Sequence, residues 1–284
     1  MNAVMLTSDL PLLATGSSSG QPVACVDATS VAPDASVLAE TLEQIRTDFF
    51  GRLQGDPGAI VAVLTNATPP GAHYGLRFVA ADGPLGGCGE ATMFATAVVS
   101  TGPGTDVVFE TTTGPITGTS DGSGSVSLRM PTAAAITSHQ VTVDGRQLAV
   151  RSVSVAGNDF AVIAADQAGI GFVGDPSEQL AARGDVLRRS LGTALPHAPA
   201  LLLVTEPVVD GSTRSIVVWG DAVLNVGPCG TGTCARLAVA LEDGELGPAD
   251  VLDHYSPFGF AFQARLDTAA DPRIVISGTV AITS

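Results

Sequence analysis

Two cysteines, each opening a similar stretch of residues, constrain the fold of this chain more than any other feature. Cys88 begins CGEATMFATAVV and Cys229 begins CGTGTCARLAVA. The stretches agree at the Cys, at the next Gly, at Thr92 and Thr233, at Ala97 and Ala238, and at Val98 and Val239. The second follows almost half a chain after the first, in 284 residues. Repeats this long are paired domains, not a solenoid. A duplicated fold would bring two such thiols face to face across a cleft. One could then remove a proton from carbon while the other delivers one.

A chain of this length can bury a sizeable core, as one large domain or two smaller ones. Hydrophobic residues make up 45% and mean hydropathy is +0.35, which argues against disorder. With 33 glycines, 18 prolines and few aromatics, the composition predicts many short strands and turns with two or three helices. Net charge is −15. Such a chain repels nucleic acid and anionic membranes, so neither is expected as a partner. All 13 basic residues are arginine. Without lysine, Schiff-base chemistry, lysine-anchored pyridoxal phosphate and a phosphate-loop lysine are excluded. The N-terminus lacks a cationic region followed by a sufficient apolar run, and no stretch approaches a membrane span. A cytoplasmic location is expected, with the four cysteines reduced. A Cys88–Cys229 disulfide is the competing structural reading.

The pattern predicts strands at 22–29, 59–65 and 73–81, with a helix over 36–53 in which Ser36 caps. A helix over 91–100 follows Cys88, then strands at 106–110, 115–118 and 124–129. A joint falls at 130–136. Beyond it come strands at 139–145, 147–155 and 160–164, a helix over 176–192, and strands at 199–205, 213–219 and 222–226. The second cysteine then leads a helix over 233–241, and strands at 257–266 and 272–282 close the chain. The same order occurs twice, which predicts a two-domain α+β protein.

A cysteine at a helix start meets unpaired backbone N–H groups and the positive end of the helix dipole, and both favour thiolate. The glycines of Gly227-Pro228-Cys229-Gly230-Thr231-Gly232 let backbone approach a ligand. N–H groups at a helix N-terminus bind carboxylate or phosphate. Each motif thus offers an acid or base beside an anion cradle, and the chemistry requires no metal or organic cofactor. Three other readings carry less. CGTGT alone could be a phosphate turn, but it lacks GK[ST]. Zinc needs about four suitably spaced ligands, and His73, His139, His197 and His254 do not cluster in sequence. Cys25, in an apolar strand, and Cys234, on a helix, read as packed residues, and the histidines and Trp219 as structural.

The chain resembles the proline racemase family, which includes hydroxyproline epimerases and shares its fold with diaminopimelate epimerase and the phenazine-pathway isomerase. The resemblance is strongest over VVWGDAVLNVGPCGTGTCARLAVALEDGELG and in GGCGEATMFATAVVSTG. Weaker echoes are Ser19-Gly20-Gln21-Pro22, Ala156-Gly157-Asn158-Asp159-Phe160 and ISGTVAIT, and the first 80 residues fit poorly. The resemblance implies an α+β fold of two pseudo-symmetric domains, each a curved, mostly antiparallel sheet wrapped around a central helix. Residues 1–130 with 268–284 would carry Cys88, and residues 131–267 would carry Cys229. It implies Cys88 and Cys229 as the catalytic pair. Backbone N–H groups of Gly89, Glu90, Ala91, Gly230, Thr231 and Gly232 would hold a substrate carboxylate. A homodimer is implied by the resemblance alone.

Two departures bear on the substrate. The family usually has His two residues after the first cysteine and Asp four before the second; here these are Glu90 and Asn225. Both positions normally face the ring nitrogen. Glu90 is then expected to pair with a cationic substrate nitrogen, against the plainer reading of a solvated first-turn residue. The expected function is a cofactor-independent racemase or epimerase acting on a small proline-like amino acid carboxylate. The alternatives are a double-bond isomerase on an unsaturated or alkylated proline-like intermediate of a natural-product pathway, and a non-catalytic binder of small carboxylates. Dehydratase activity is disfavoured, since related dehydratases replace the second cysteine.

Overall fold

The computed structural model describes residues 10–31, 35–56, 58–173 and 177–283. The chain divides into two compact units, Met1–Arg129 with Ser277–Ser284, and Met130–Ile276. The division at Ser277 falls inside the last strand.

The first unit contains β1 (Leu12–Ser18), β2 (Gln21–Asp27), α1 (Ala35–Arg46), β3 (Ile60–Thr65), β4 (Tyr74–Ala80), β5 (Gly83–Leu85), α2 (Gly89–Val99), β6 (Asp106–Thr111), β7 (Gly114–Ser120) and most of β8 (Ser125–Pro131). β1 and β2 form a hairpin, and β2 pairs parallel with β3 across the α1 connection. A parallel pair needs such a crossover, because a tight turn cannot reverse the chain twice. β3 pairs antiparallel with β4, and β4 pairs parallel with β6. β6 and β7, then β7 and β8, are antiparallel.

The second unit contains β9 (Ala135–Val143), β10 (Arg146–Val155), β11 (Asn158–Ala164), α3 (Ala165–Ala168), α4 (Ser177–Ala194), β12 (Leu201–Thr205), β13 (Ser212–Trp219), β14 (Val223–Leu224), α5 (Gly230–Glu242), β15 (Val251–Tyr255), β16 (Ala261–Asp267) and the start of β17 (Arg273–Ile282). β10 pairs antiparallel with β9 and β11, and β11 pairs parallel with β12 across α4. β12 and β13 are antiparallel, β13 and β15 parallel, β15 and β16 antiparallel. The β9–β10 turn is Asp144-Gly145, with φ of 50° and 75°. Two consecutive positive-φ residues match the twist of a hairpin, and Asp-Gly tolerates them best.

Strand alternation decides which helix each side chain meets. In the second unit Leu202, Val204, Ile216 and Val218 pack with Leu180 and Leu191 of α4. The opposite set includes Leu203 and Val217, which lie against Gly232 of α5. In the first unit Val61, Val63 and Val79 pack with Ile45 and Phe49, while α2 packs on β1, β2, β3 and β7. Each such buried aliphatic or aromatic side chain contributes roughly 1.5–3 kcal/mol. Residues Gly89 to Thr96 of α2 are all buried, a helix covered on every side.

Several elements differ from the sequence reading. The helix over 36–53 stops as α-helix at Arg46 and continues as a π-helical turn, Thr47–Arg52. The wider turn lets Phe49 and Phe50 both reach the core, their rings edge-to-face at 5.0 Å. Ser36, expected to cap, is the second residue of α1. The strands β1, β5 and β15 and the short α3 were not anticipated. Both cysteine helices begin directly after their cysteine, at Gly89 and Gly230, earlier than the pattern indicated. Among the described residues, no helix is long and apolar enough to cross a membrane.

Candidate functional site

Cys88 is the N-cap of α2, with extended backbone at φ −149°. Its sulfur accepts the Ala91 N–H at 3.4 Å. The Thr92 hydroxyl donates to the Cys88 carbonyl at 2.7 Å and closes the first turn. Glu90 is 1% exposed and Cys88 5%. The Cys88 thiol donates to Glu90 Oε2 at 3.7 Å. Glu90 is therefore no solvated first-turn residue; its carboxylate lies buried beside the sulfur. Burying a carboxylate is costly unless polar groups meet it, so its place at the thiol calls for a chemical reason.

Cys229 is the N-cap of α5, and its sulfur accepts the Gly232 N–H at 3.4 Å. Its backbone differs sharply, with φ 63° and ψ 120°. A non-glycine residue there is strained by roughly 1–3 kcal/mol and persists only where its surroundings hold it. The Thr233 N–H and hydroxyl both donate to the Cys229 carbonyl, at 2.7 and 2.8 Å. The Thr231 hydroxyl lies 3.6 Å from the sulfur and accepts from Asn158 Nδ2 at 3.2 Å. Asn225, 3% exposed, donates from Nδ2 to the Gly227 carbonyl at 3.0 Å and shapes the turn before Cys229.

The sequence-predicted residues thus form two clusters. Cys88, Gly89, Glu90 and Ala91 share one first turn in the first unit; Asn225, Cys229, Gly230, Thr231 and Gly232 share one turn in the second. The Ala91 and Gly232 N–H groups, expected at a substrate carboxylate, point at the thiol sulfurs.

Two contributors escaped the sequence reading. Asn158 belongs to a segment noted only as an echo, and it orients Thr231. His254, on the unanticipated β15, is fully buried, and its Nδ1 lies 2.7 Å from Thr233 Oγ1. Burial, then the nearby Arg236 charge, lowers its pKa from 6.5 to about 3. The alternation Leu252, His254 against Val251, Tyr255 was the available signal, but a histidine at an inward position hides a period-two pattern.

All four cysteines are free thiols. Cys25 is fully buried in β2, and burial, then Asp27, pushes its pKa up to about 12. Such a thiol is inert at neutral pH. Cys234 is likewise buried, on α5. Among the described residues, no group of three or more His, Cys, Asp or Glu side chains could hold a metal ion.

The sequence model of one family, described as proline racemase, matches residues 23–283. The proline racemase of Clostridioides difficile is 29% identical over 252 residues, covering 81% of this chain and 75% of that protein. A probable proline racemase from Agrobacterium radiobacter K84, solved with bound carbonate, superposes with TM-score 0.77 at 21% identity, over 97% of this chain and 91% of that one. A hydroxyproline epimerase from Agrobacterium vitis, solved with trans-4-hydroxy-L-proline, gives TM-score 0.75 at 20% identity, over 96% and 89%. These structures share the mixed α+β fold.

Proposed function

The chain belongs to the proline racemase family and is an isomerase, and on that premise we propose that it moves a proton at carbon in a small, proline-like amino acid, with Cys88 and Cys229 as acid and base. The observation that carries this reading is the shared placement of the two thiols. Each caps a buried helix, and each sulfur receives a backbone N–H at 3.4 Å. The pairing order supports a duplicated fold: hairpin, crossover helix, parallel strand, antiparallel strand, cysteine helix, second parallel strand, in both units. In that arrangement each unit supplies one thiol, Cys88 from Met1–Arg129 with Ser277–Ser284 and Cys229 from Met130–Ile276.

Hydrogen-bond polarity sets the starting state. Cys229 faces the Gly232 N–H and the Thr231 hydroxyl, whose oxygen already accepts from Asn158 and whose proton is therefore available to the sulfur. Donors favour thiolate. Cys88 faces the Ala91 N–H and the Glu90 carboxylate, an acceptor that keeps a proton on sulfur. Cys229 thiolate removes the α-proton and becomes thiol. The electron pair left on carbon delocalises into the substrate carboxylate, held by first-turn N–H groups at Gly89, Glu90, Gly230 and Thr231. Cys88 thiol delivers its proton from the other side and becomes thiolate. The reverse reaction exchanges the roles. Glu90, a new buried charge at the first thiol, faces the substrate's cationic nitrogen, with Asn225 shaping the opposite turn. A cytoplasmic, reducing setting keeps both thiols available.

Proton NMR in deuterium oxide on L-proline, trans-4-hydroxy-L-proline and ring-unsaturated prolines tests this, beside Cys88→Ala and Cys229→Ala. Deuterium at the α-carbon with inversion, lost in both variants, is the expected result. Deuterium at a ring carbon with a moved double bond would replace inversion by a 1,3-proton shift, a reading favoured by the carboxylate at position 90. Binding of the same compounds with no exchange at any carbon would leave a carboxylate-binding protein.

A further inference from the structure

Beyond the two thiols, we propose that His254 is a positioning residue for Cys229: as the neutral Nδ1–H tautomer it donates to Thr233, whose hydroxyl donates to the Cys229 carbonyl, and this relay holds the cysteine in its left-handed backbone. Proton counting fixes the direction. The Thr233 hydroxyl has one proton, placed on the Cys229 carbonyl at 2.8 Å. Its oxygen must then accept from His254 Nδ1 at 2.7 Å. Nδ1 carries the ring proton and Nε2 is bare. Nε2 is buried, with no hydrogen-bond partner among the described residues. As a bare acceptor it costs less there than as an N–H beside the Arg236 cation. Burial and Arg236 both keep the ring neutral.

The first motif provides the control. Thr92 makes the same hydroxyl-to-carbonyl bond to Cys88, at 2.7 Å. Cys88 is extended at φ −149°, a conformation that needs no further support. Cys229, at φ 63°, is strained, and it is the cysteine whose threonine is itself held by a histidine. Strained residues persist where surroundings over-determine them. If His254 served packing alone, an apolar ring would fill the space without burying an unpaired nitrogen.

The inference rests on Cys229 being a reacting thiol, but its geometry can be read without turnover. The probe is iodoacetamide, with alkylation of the Cys88 and Cys229 peptides followed by mass spectrometry in the folded full-length chain. His254→Phe fills the ring space and removes the donor. His254→Asn places an amide N–H near the Nδ1 position. In His254→Phe, Cys229 alkylation is expected to fall about fivefold as the sulfur loses its aligned N–H, with Cys88 within about twofold. His254→Asn restores the wild-type ratio. Thr233→Val reproduces the loss, and the double variant Thr233→Val/His254→Phe loses no more than either single one. An unchanged ratio in folded His254→Phe, or an equal slowing of both cysteines, overturns the relay. Should His254→Phe fail to fold, the contrast between Thr233→Val and His254→Asn decides on the same terms. A chain that inverts no proline yet shows the split ratio keeps this inference and loses the proposed activity.

Discussion

The two cysteine motifs are built on one plan and finished differently. Both thiols cap a buried helix, take an N–H from the third residue on, and have their carbonyl closed by a threonine. The first keeps a relaxed backbone and sets a carboxylate at its sulfur. The second keeps a strained backbone, sets a hydroxyl at its sulfur and supports the turn with a buried histidine. The shared plan supplies two helix-capping thiols. The differences are local: one motif sets a carboxylate beside its sulfur, the other holds its cysteine in a strained backbone.

The shared plan breaks most decisively at sulfur. Cys88→Ala and Cys229→Ala are each expected to lower α-proton exchange on proline analogues by about a thousandfold or more, since a positioned acid or base is worth 10²–10⁴. Retention of inversion in either variant would remove the two-thiol reading. The bias at the first motif is the next largest effect. Glu90→Gln keeps the shape and removes the charge. Exchange is expected to fall about ten- to a hundredfold. Substrate affinity is expected to weaken as well, measured by ligand-dependent thermal stabilisation. Unchanged affinity would remove the nitrogen-pairing role.

The third prediction concerns acid stability and belongs to the second motif. His254 has a pKa of about 3 in the folded chain against 6.5 ordinarily, because burial and then Arg236 disfavour its charge. Between those values the unfolded chain binds a proton that the folded chain refuses. Stability therefore falls as pH drops from about 6.5 toward 3, by about 1.4 kcal/mol per unit. Denaturant unfolding at pH 7.5, 5.5 and 4.5 should show a shallower loss for His254→Asn than for the wild type. Parallel loss in the two proteins would mean that the histidine charges without unfolding.

Much of this was legible in the sequence, for identifiable reasons. The cysteine helices were visible because Gly, Ala and Thr cluster after each Cys in a way that no turn needs. β3 and β12 were visible as short apolar runs between glycines and prolines, since strands covered on both faces cannot alternate. β15 was not, because its inward positions are Leu252 and His254 and its flanks are polar. With the strand went the histidine, which read as one of four scattered histidines. Glu90 was visible as a departure, but not its burial: a carboxylate one residue into a helix is ordinary on a surface, and only packing shows that this one is shielded from solvent.

The smallest effect separates the two backbones most directly. Three residues after each cysteine, where the N–H meets the sulfur, the first motif has Ala91 and the second has Gly232. A Cβ on Gly232 would lie 3.0 Å from Val217 Cγ2, 3.1 Å from Cys229 Cβ and 3.2 Å from Leu203 Cδ1. Val217 and Leu203 are fully buried strand residues with little room to move. Alanine gains about 1 kcal/mol of helix propensity over glycine, and overpacking costs typically 1–3 kcal/mol. Gly232→Ala is therefore expected to destabilise by about 1 kcal/mol net, and to slow Cys229 alkylation with Cys88 unaffected. The reciprocal Ala91→Gly should cost about 1–2 kcal/mol through lost propensity and a lost buried methyl. It should leave the Cys88 sulfur contact in place, since an extended cysteine does not press on that position. If Gly232→Ala is neutral or stabilising and both cysteines alkylate as before, the glycine is not what the strained turn requires. The difference between the two motifs would then lie in their side chains alone.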